Sequence, residues 1–120
     1  MLAIAAAKLG WSPIRGYDHE PAALEAATAN AEANRVSLDL NRANLRETLP
    51  DLAPTVVANM TAPILKAVAG QLESAPQVLV CSGLLPTEQD EVAEAFGGAG
   101  LREADRRQDG DWAALLLRRG

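Results

Sequence analysis

The 120-residue chain has one cysteine, Cys81, one histidine, His19, and only two tryptophans, one tyrosine and one phenylalanine. A single cysteine excludes an internal disulfide framework and a thiolate metal cluster. A single histidine excludes a metal centre built on several imidazoles and leaves no Ser/His/Asp constellation beyond His19 itself. His19 reads as an exposed residue at a helix entrance. With aromatics this scarce, core volume must come from Leu, Val and Ile, and alanine fills a fifth of the chain. Packing can then be tight, although each contact buries little area. Positive charge is short as well: the net charge is -5, which argues against a general grip on nucleic acid. Arg102, Arg106, Arg107, Arg118 and Arg119 read as outer-face residues of edge strands. Long apolar runs are missing too. The segment from Met1 to Leu9 is apolar, but it is too short to span a bilayer and lacks the basic start of a signal peptide. We expect a soluble, cytoplasmic chain with no direct nucleic-acid partner and no membrane partner.

What is present is an alternation of helical and strand patterns without linker, repeat or low-complexity tract. Leu2, Ala5, Ala6 and Leu9 recur at helical spacing before Gly10, predicting an opening helix. Ile14 to Tyr17 reads as a short strand. Pro21 then opens a helix to about Asn34, a residue suited to a left-handed cap. Val36, Leu38 and Leu40 alternate with polar residues, as a half-buried strand requires. A loop from Arg42 to Asp51 leads to an apolar strand, Thr55 to Ala58. Thr61 can cap a helix whose Leu65, Val68, Ala69 and Leu72 form one stripe. Gln77 to Cys81 is a buried strand in which Cys81 is an inert, buried thiol. Thr87 can cap a helix with Val92, Ala95 and Phe96 inward, closed by Gly97 and Gly98. Leu101 to Arg106 and Trp112 to Arg118 flank the turn signal Gln108-Asp109-Gly110. The order predicts an α/β layered domain over 1–120, with a mostly parallel sheet and a C-terminal antiparallel hairpin.

In such sheets ligands bind at the carboxyl ends of the strands, and three ends carry suitable residues. At Gly16-Tyr17-Asp18 the carboxylate can accept from both hydroxyls of a ribose, or can simply cap the helix that follows. At Ala58-Asn59-Met60 the amide of Asn59 offers a donor and an acceptor, or merely forms a turn. At Ser82-Gly83 the glycine permits a close backbone approach or a turn. Glu88, Asp90, Glu91 and Glu94 gather at a helix start, where negative charge is favourable, and read as a solvated face. No catalytic residue can be assigned, and no metal site is expected.

These segments, taken in order, resemble a known family. Leu2 to Gly10 is similar to the helix after the glycine-rich loop of class I S-adenosylmethionine-dependent methyltransferases. Gly16-Tyr17-Asp18-His19-Glu20-Pro21, with Ala27 to Asn34, resembles their second strand and helix, and Val57-Ala58-Asn59-Met60-Thr61-Ala62-Pro63 resembles their fourth motif. The combination is most similar to the C-terminal part of the bacterial ribosomal protein L-eleven methyltransferase family, which has a Leu-Ser-Gly-Ile strand end matching Cys81-Ser82-Gly83-Leu84 and a final strand opening with Trp. The resemblance implies a Rossmann-like sheet and S-adenosylmethionine as cofactor. It implies a ribosomal protein as substrate, methylated at a lysine or N-terminal amine. Asp18 would hold the ribose, with His19 beside it. Asn44 and Leu45 would lie beside adenine, although the family prefers Asp at position 44. Asn59 would line the site near the methionine part and the incoming amine.

The same resemblance marks a departure. The family has a strand and an Asp-x-Gly-x-Gly-type loop directly before the segment matching Leu2, and a further N-terminal domain that holds the ribosomal protein. The sequence contains neither, so we expect a fragment truncated at its N-terminus, impaired in activity and weak in cofactor affinity. The absent strand is central in the family. The chain is therefore expected to be marginally stable, to pair Ile14–Tyr17 directly with Thr55–Ala58, or to associate through exposed strand edges. Two other readings fit the residues: a non-catalytic remnant serving as an interaction module, and a nicotinamide-dinucleotide-binding domain.

Overall fold

A computed structural model describes residues 8–10, 13–18 and 20–120. The predicted opening helix falls almost wholly outside the described residues, as does His19. The chain divides into two compact units, one ending at Leu45 and one beginning at Arg46.

The first unit is a strand-helix-strand crossover. Strand β1 (Arg15–Asp18) is followed by helix α1 (Pro21–Ala33) and strand β2 (Asp39–Arg42). The strands pair in parallel, Arg15 opposite Asp39 and Asp18 opposite Arg42. Pro21 starts α1 at a position whose N–H would have had no helical partner. Ala27 and Ala31, one turn apart, are its buried residues. The left-handed residue that ends α1 is Arg35, at φ 56°, and not Asn34. The Val36 N–H reaches back to the Ala31 carbonyl at 3.0 Å, the six-to-one bond of a Schellman ending. That bond engages Val36 and delays the strand. Val36, Leu38 and Leu40 keep their half-buried alternation, but the β2 ladder starts only at Asp39, whose N–H donates to the Ile14 carbonyl at 3.0 Å.

The second unit holds strand β3 (Thr55–Asn59), helix α2 (Ala62–Gln71), strand β4 (Val78–Leu84), a 3-10 turn at Pro86–Glu88, helix α3 (Gln89–Gly97) and the hairpin β5 (Leu101–Asp109) and β6 (Trp112–Arg119). Its sheet runs β3-β4-β6-β5. The β3 and β4 strands are parallel, and β6 is antiparallel to both of its neighbours. The architecture is thus α/β with mixed pairing and an antiparallel C-terminal hairpin. Among the described residues β1 pairs with β2, and β3 with β4.

The core of the second unit follows from periodicity. Alternate residues of β6, Ala113, Leu115 and Leu117, face inward, where they meet Leu79, Cys81 and Leu84 of β4, Leu65 and Ala69 of α2, and Val92 and Phe96 of α3. The predicted stripes of α2 and α3 hold, with Val68, Leu72 and Ala95 packed partly against this cluster. Two predicted caps do not form. Thr61 sits at the N-cap of α2 without a side-chain bond. Thr87 lies within the 3-10 turn, and Glu88 closes that turn by accepting the Leu85 N–H at 2.8 Å. Helix α3 ends with Gly98 in right-handed geometry, and the left-handed glycine is Gly100, at φ 95°. The hairpin loop is Gly110-Asp111, between the paired Asp109 and Trp112. Gly110, at φ 60°, takes the first central position that a type II′ turn reserves for glycine.

Candidate active site

In the first unit, Asp18 ends β1 half-buried. Its carboxylate Oδ1 accepts the Glu20 N–H at 3.1 Å, an Asx turn that fixes the side chain at the strand end. Its backbone carbonyl accepts the Ala43 N–H at 2.9 Å. That bond draws the segment after β2, carrying exposed Asn44 and half-buried Leu45, to the carboxyl end of β1. Three of the residues singled out from the sequence, Asp18, Asn44 and Leu45, are therefore neighbours in one unit.

In the second unit, Asn59 ends β3 opposite Ser82 of β4. At this level β4 carries a bulge: the register with β6 steps from Cys81–Leu115 to Leu84–Ala113, leaving Ser82 and Gly83 against Ala114 alone. Gly83 adopts φ 81°, and a Cβ built on it would stand 2.6 Å from Asn59 Oδ1 and 3.2 Å from the Met60 carbonyl. The Met60 N–H closes the strand end on the Ser82 carbonyl at 3.1 Å. Glycine at position 83 thus lets the backbone turn in the left-handed region and lets the Asn59 amide lie against it. The two signals at Asn59 and Ser82-Gly83, separate in the sequence, form one feature. They line an open cleft of about 450 Å³, whose opposite wall is the tip of the β5–β6 hairpin, Arg107 to Asp109 and Trp112 to Ala114. Trp112, one of the lining residues, is 63% exposed.

The charges around the hairpin are ordered. The Arg107 guanidinium pairs with Asp105 at 2.9 Å. Arg106 pairs with Glu103 at 2.6 Å and with Asp90, on α3, at 3.0 Å. The hydrogen bond from Arg106 holds the Glu103 carboxyl below its ordinary 4.5 and holds Arg106 itself still more firmly protonated. Glu91 pairs with Lys66 of α2 at 3.2 Å. The acidic group on α3 is thus more than a solvated face: Asp90 ties α3 to β5, Glu91 ties it to α2, and Glu88 closes the turn before it. Burial pushes the Cys81 thiol up to about 12, in keeping with an inert core residue.

One functional candidate was not read from the sequence. Gln89, the first residue of α3, is only 4% exposed. Its Nε2 donates to the Arg107 carbonyl at 3.2 Å and the Ala114 carbonyl at 3.1 Å, one on each strand of the hairpin. The signal was a polar residue at the head of the spacing 89, 92, 96, the buried face of α3. Among the described residues no group of three or more His, Cys, Asp or Glu side chains could hold a metal ion, and no helix is long and apolar enough to cross a membrane.

Helices alternating with parallel strands, followed by a C-terminal antiparallel hairpin, make up an α/β fold of the methyltransferase class. Solved methyltransferases share it. The 16S rRNA methyltransferase RmtF, in complex with S-adenosyl-L-homocysteine, superposes with a TM-score of 0.74 at 17% identity, over 99% of this chain and 52% of that one. The ribosomal protein L11 methylase of Lactobacillus delbrueckii subsp. bulgaricus superposes with a TM-score of 0.87 at 25% identity, over 98% of this chain and 64% of that one. The chain belongs to the ribosomal protein L11 methyltransferase (PrmA) family, whose model matches residues 1–120. Among curated relatives, the ribosomal protein L11 methyltransferase of Pelotomaculum thermopropionicum is 35% identical over 98% of this chain, and that of Chloroflexus aurantiacus 31% over 99%. The chain spans 40% and 45% of their respective lengths.

Proposed function

We propose that the chain is the cofactor-binding and amine-positioning portion of a cytoplasmic ribosomal protein methyltransferase, with S-adenosylmethionine as methyl donor. The observation that carries this reading is the Asp18 strand end, where one backbone bond gathers the carboxylate and the Asn44–Leu45 segment. The donor set fits the nucleoside part of the cofactor. The fixed Asp18 carboxylate accepts from the ribose hydroxyls, the Leu45 side chain covers an adenine face, and the Asn44 amide meets its polar edge. The bound cofactor supplies a methyl group activated by a sulfonium.

In the second unit, Asn59 acts on the acceptor. Its side-chain carbonyl takes an N–H of the incoming amine and orients the nitrogen lone pair. The apolar walls of the cleft displace water from that amine. Orientation and desolvation, rather than a dedicated base, provide the rate enhancement. The substrate is a ribosomal protein, the class named for the relatives, and its methylated group is a lysine or N-terminal amine, as the family resemblance implies. Since the relatives are more than twice as long, a polypeptide of these 120 residues alone binds the cofactor weakly and transfers methyl slowly.

Calorimetric titration with S-adenosylhomocysteine tests the reading. Saturable binding no tighter than about 10 μM is expected, weakened roughly tenfold or more by Asp18→Ala, since charge-assisted hydrogen bonds contribute about 1.5–3 kcal/mol. Binding that Asp18→Ala leaves unchanged would sink the Asp18 assignment. Low-micromolar affinity would overturn the expected weakness.

A further inference from the structure

The cleft lined by Asn59, Gly83 and Trp112 has one fixed wall and one wall made of a hairpin tip. The fixed wall is the β3–β4 end, braced by the Met60 to Ser82 bond. The tip has much less support. The last β4 residue in register with β6 is Leu84, opposite Ala113. Beyond that, the remaining pair, Asp109 and Trp112, is bonded among the described residues only strand to strand, and a two-stranded ribbon is marginal in water. The bulge weakens the same place, because Ala114 is the β6 residue that has no register partner of its own on β4.

Gln89 occupies this gap. It is buried at 4% exposure, and its amide nitrogen donates to the Ala114 carbonyl and to the carbonyl of Arg107, the residue paired with Ala114 across the hairpin. One side chain on a helix therefore bonds both strands at the level where β4 bulges out of register with β6. The contact is not simple core filling: an apolar residue of equal volume would pack among Val92 and Phe96 but would donate to neither carbonyl.

We infer that Gln89 is a positioning residue for the acceptor cleft, setting the hairpin tip so that Asp109 and Trp112 form a fixed wall facing Asn59. This inference rests on the proposed methyl-transfer reading for its purpose, though its structural part can be measured without it. Gln89 touches neither cofactor nor acceptor and acts through the backbone of Arg107 and Ala114.

The test uses Gln89→Met, which keeps length and burial but removes both donors, and Gln89→Asn, which keeps the amide one methylene shorter and serves if the first variant does not fold. Amide exchange of Gln108–Ala113 is followed with that of Leu79 and Cys81 as internal reference. Methyl transfer to Nα-acetyl-lysine methylamide is followed as KM and kcat, and S-adenosylhomocysteine affinity separately. The expected result for Gln89→Met is tip exchange faster by about tenfold or more with reference amides unchanged, KM for the lysine probe raised about tenfold, kcat within about twofold, and cofactor affinity unchanged. Gln89→Asn is expected to fall between. Unchanged tip exchange would overturn the inference, as would a uniform loss across tip and reference amides or a loosened tip with an unaltered KM. If the parent chain shows no saturable S-adenosylhomocysteine binding, the methyl-transfer reading fails, and tip exchange still decides whether Gln89 positions the hairpin.

Discussion

Gly83 combines two demands that no other residue type meets at once. At φ 81° the backbone is in the left-handed region, and any Cβ would strike Asn59 Oδ1 at 2.6 Å and crowd the Met60 carbonyl at 3.2 Å. Gly83→Ala is expected to destabilise the chain by about 1–3 kcal/mol, through backbone strain and displacement of the Asn59 amide. A lowered urea midpoint with an unchanged slope would show it. A midpoint equal to that of the parent would mean the bulge relaxes without cost. The sequence made Asn59 and Ser82-Gly83 visible as separate strand ends because amide and glycine are marked residue types. Their meeting was not visible, since it depends on the parallel register that sets Asn59 opposite Ser82. Gln89 was missed for a related reason: a glutamine near a helix start reads as surface, and only the hairpin folded over it makes it a buried donor.

At the scale of elements, the tie between α3 and β5 is electrostatic. Arg106 bridges Glu103 on its own strand and Asp90 on the helix. Its hydrogen bond lowers the Glu103 pKa in the folded chain. The unfolded chain therefore takes up a proton first as pH falls through about 4.5. This contribution to stability is complete above that value and is lost as pH falls through the lower folded value. Glu103 is 31% exposed and Asp90 90%, so solvent screening keeps the effect below about 1 kcal/mol. Urea midpoints measured from pH 3 to 6 should show Glu103→Gln below the parent at pH 6, with the two converging at the acid end. Parallel curves would exclude the assignment.

Elements with a strong period were legible in the sequence. The helices at 21–33 and 62–71, the buried strand at Val78 and the closing hairpin all follow from spacing and turn residues. Boundaries slipped where a local hydrogen bond outweighed pattern. The Val36 to Ala31 bond moved β2 to Asp39, and the bulge carried β4 on to Leu84, past the expected end at Cys81.

At the scale of the whole molecule, the two units differ in what holds them. Among the described residues, every member of the buried apolar cluster, from Ala58 to Leu117, belongs to the second unit. Among the described residues of the first, only Ala27 and Ala31 are buried hydrophobics. Burying a methyl group contributes far less than burying Leu or Phe. Amides of β4 and β6 should exchange at least about a hundredfold more slowly than those of β1 and β2. Equal protection in the two units would show that cooperativity does not follow apolar burial.

The strand order of the second unit also bears on synthesis. β5 leaves the ribosome before β6, yet β6 takes the place beside β4 and β5 takes the edge. While β6 is still being made, β4 presents an unclaimed ladder to the strand that arrives first. The two-residue turn at Gly110-Asp111 shortens that interval, because β6 follows β5 almost at once and can claim the inner place before an outer strand settles there.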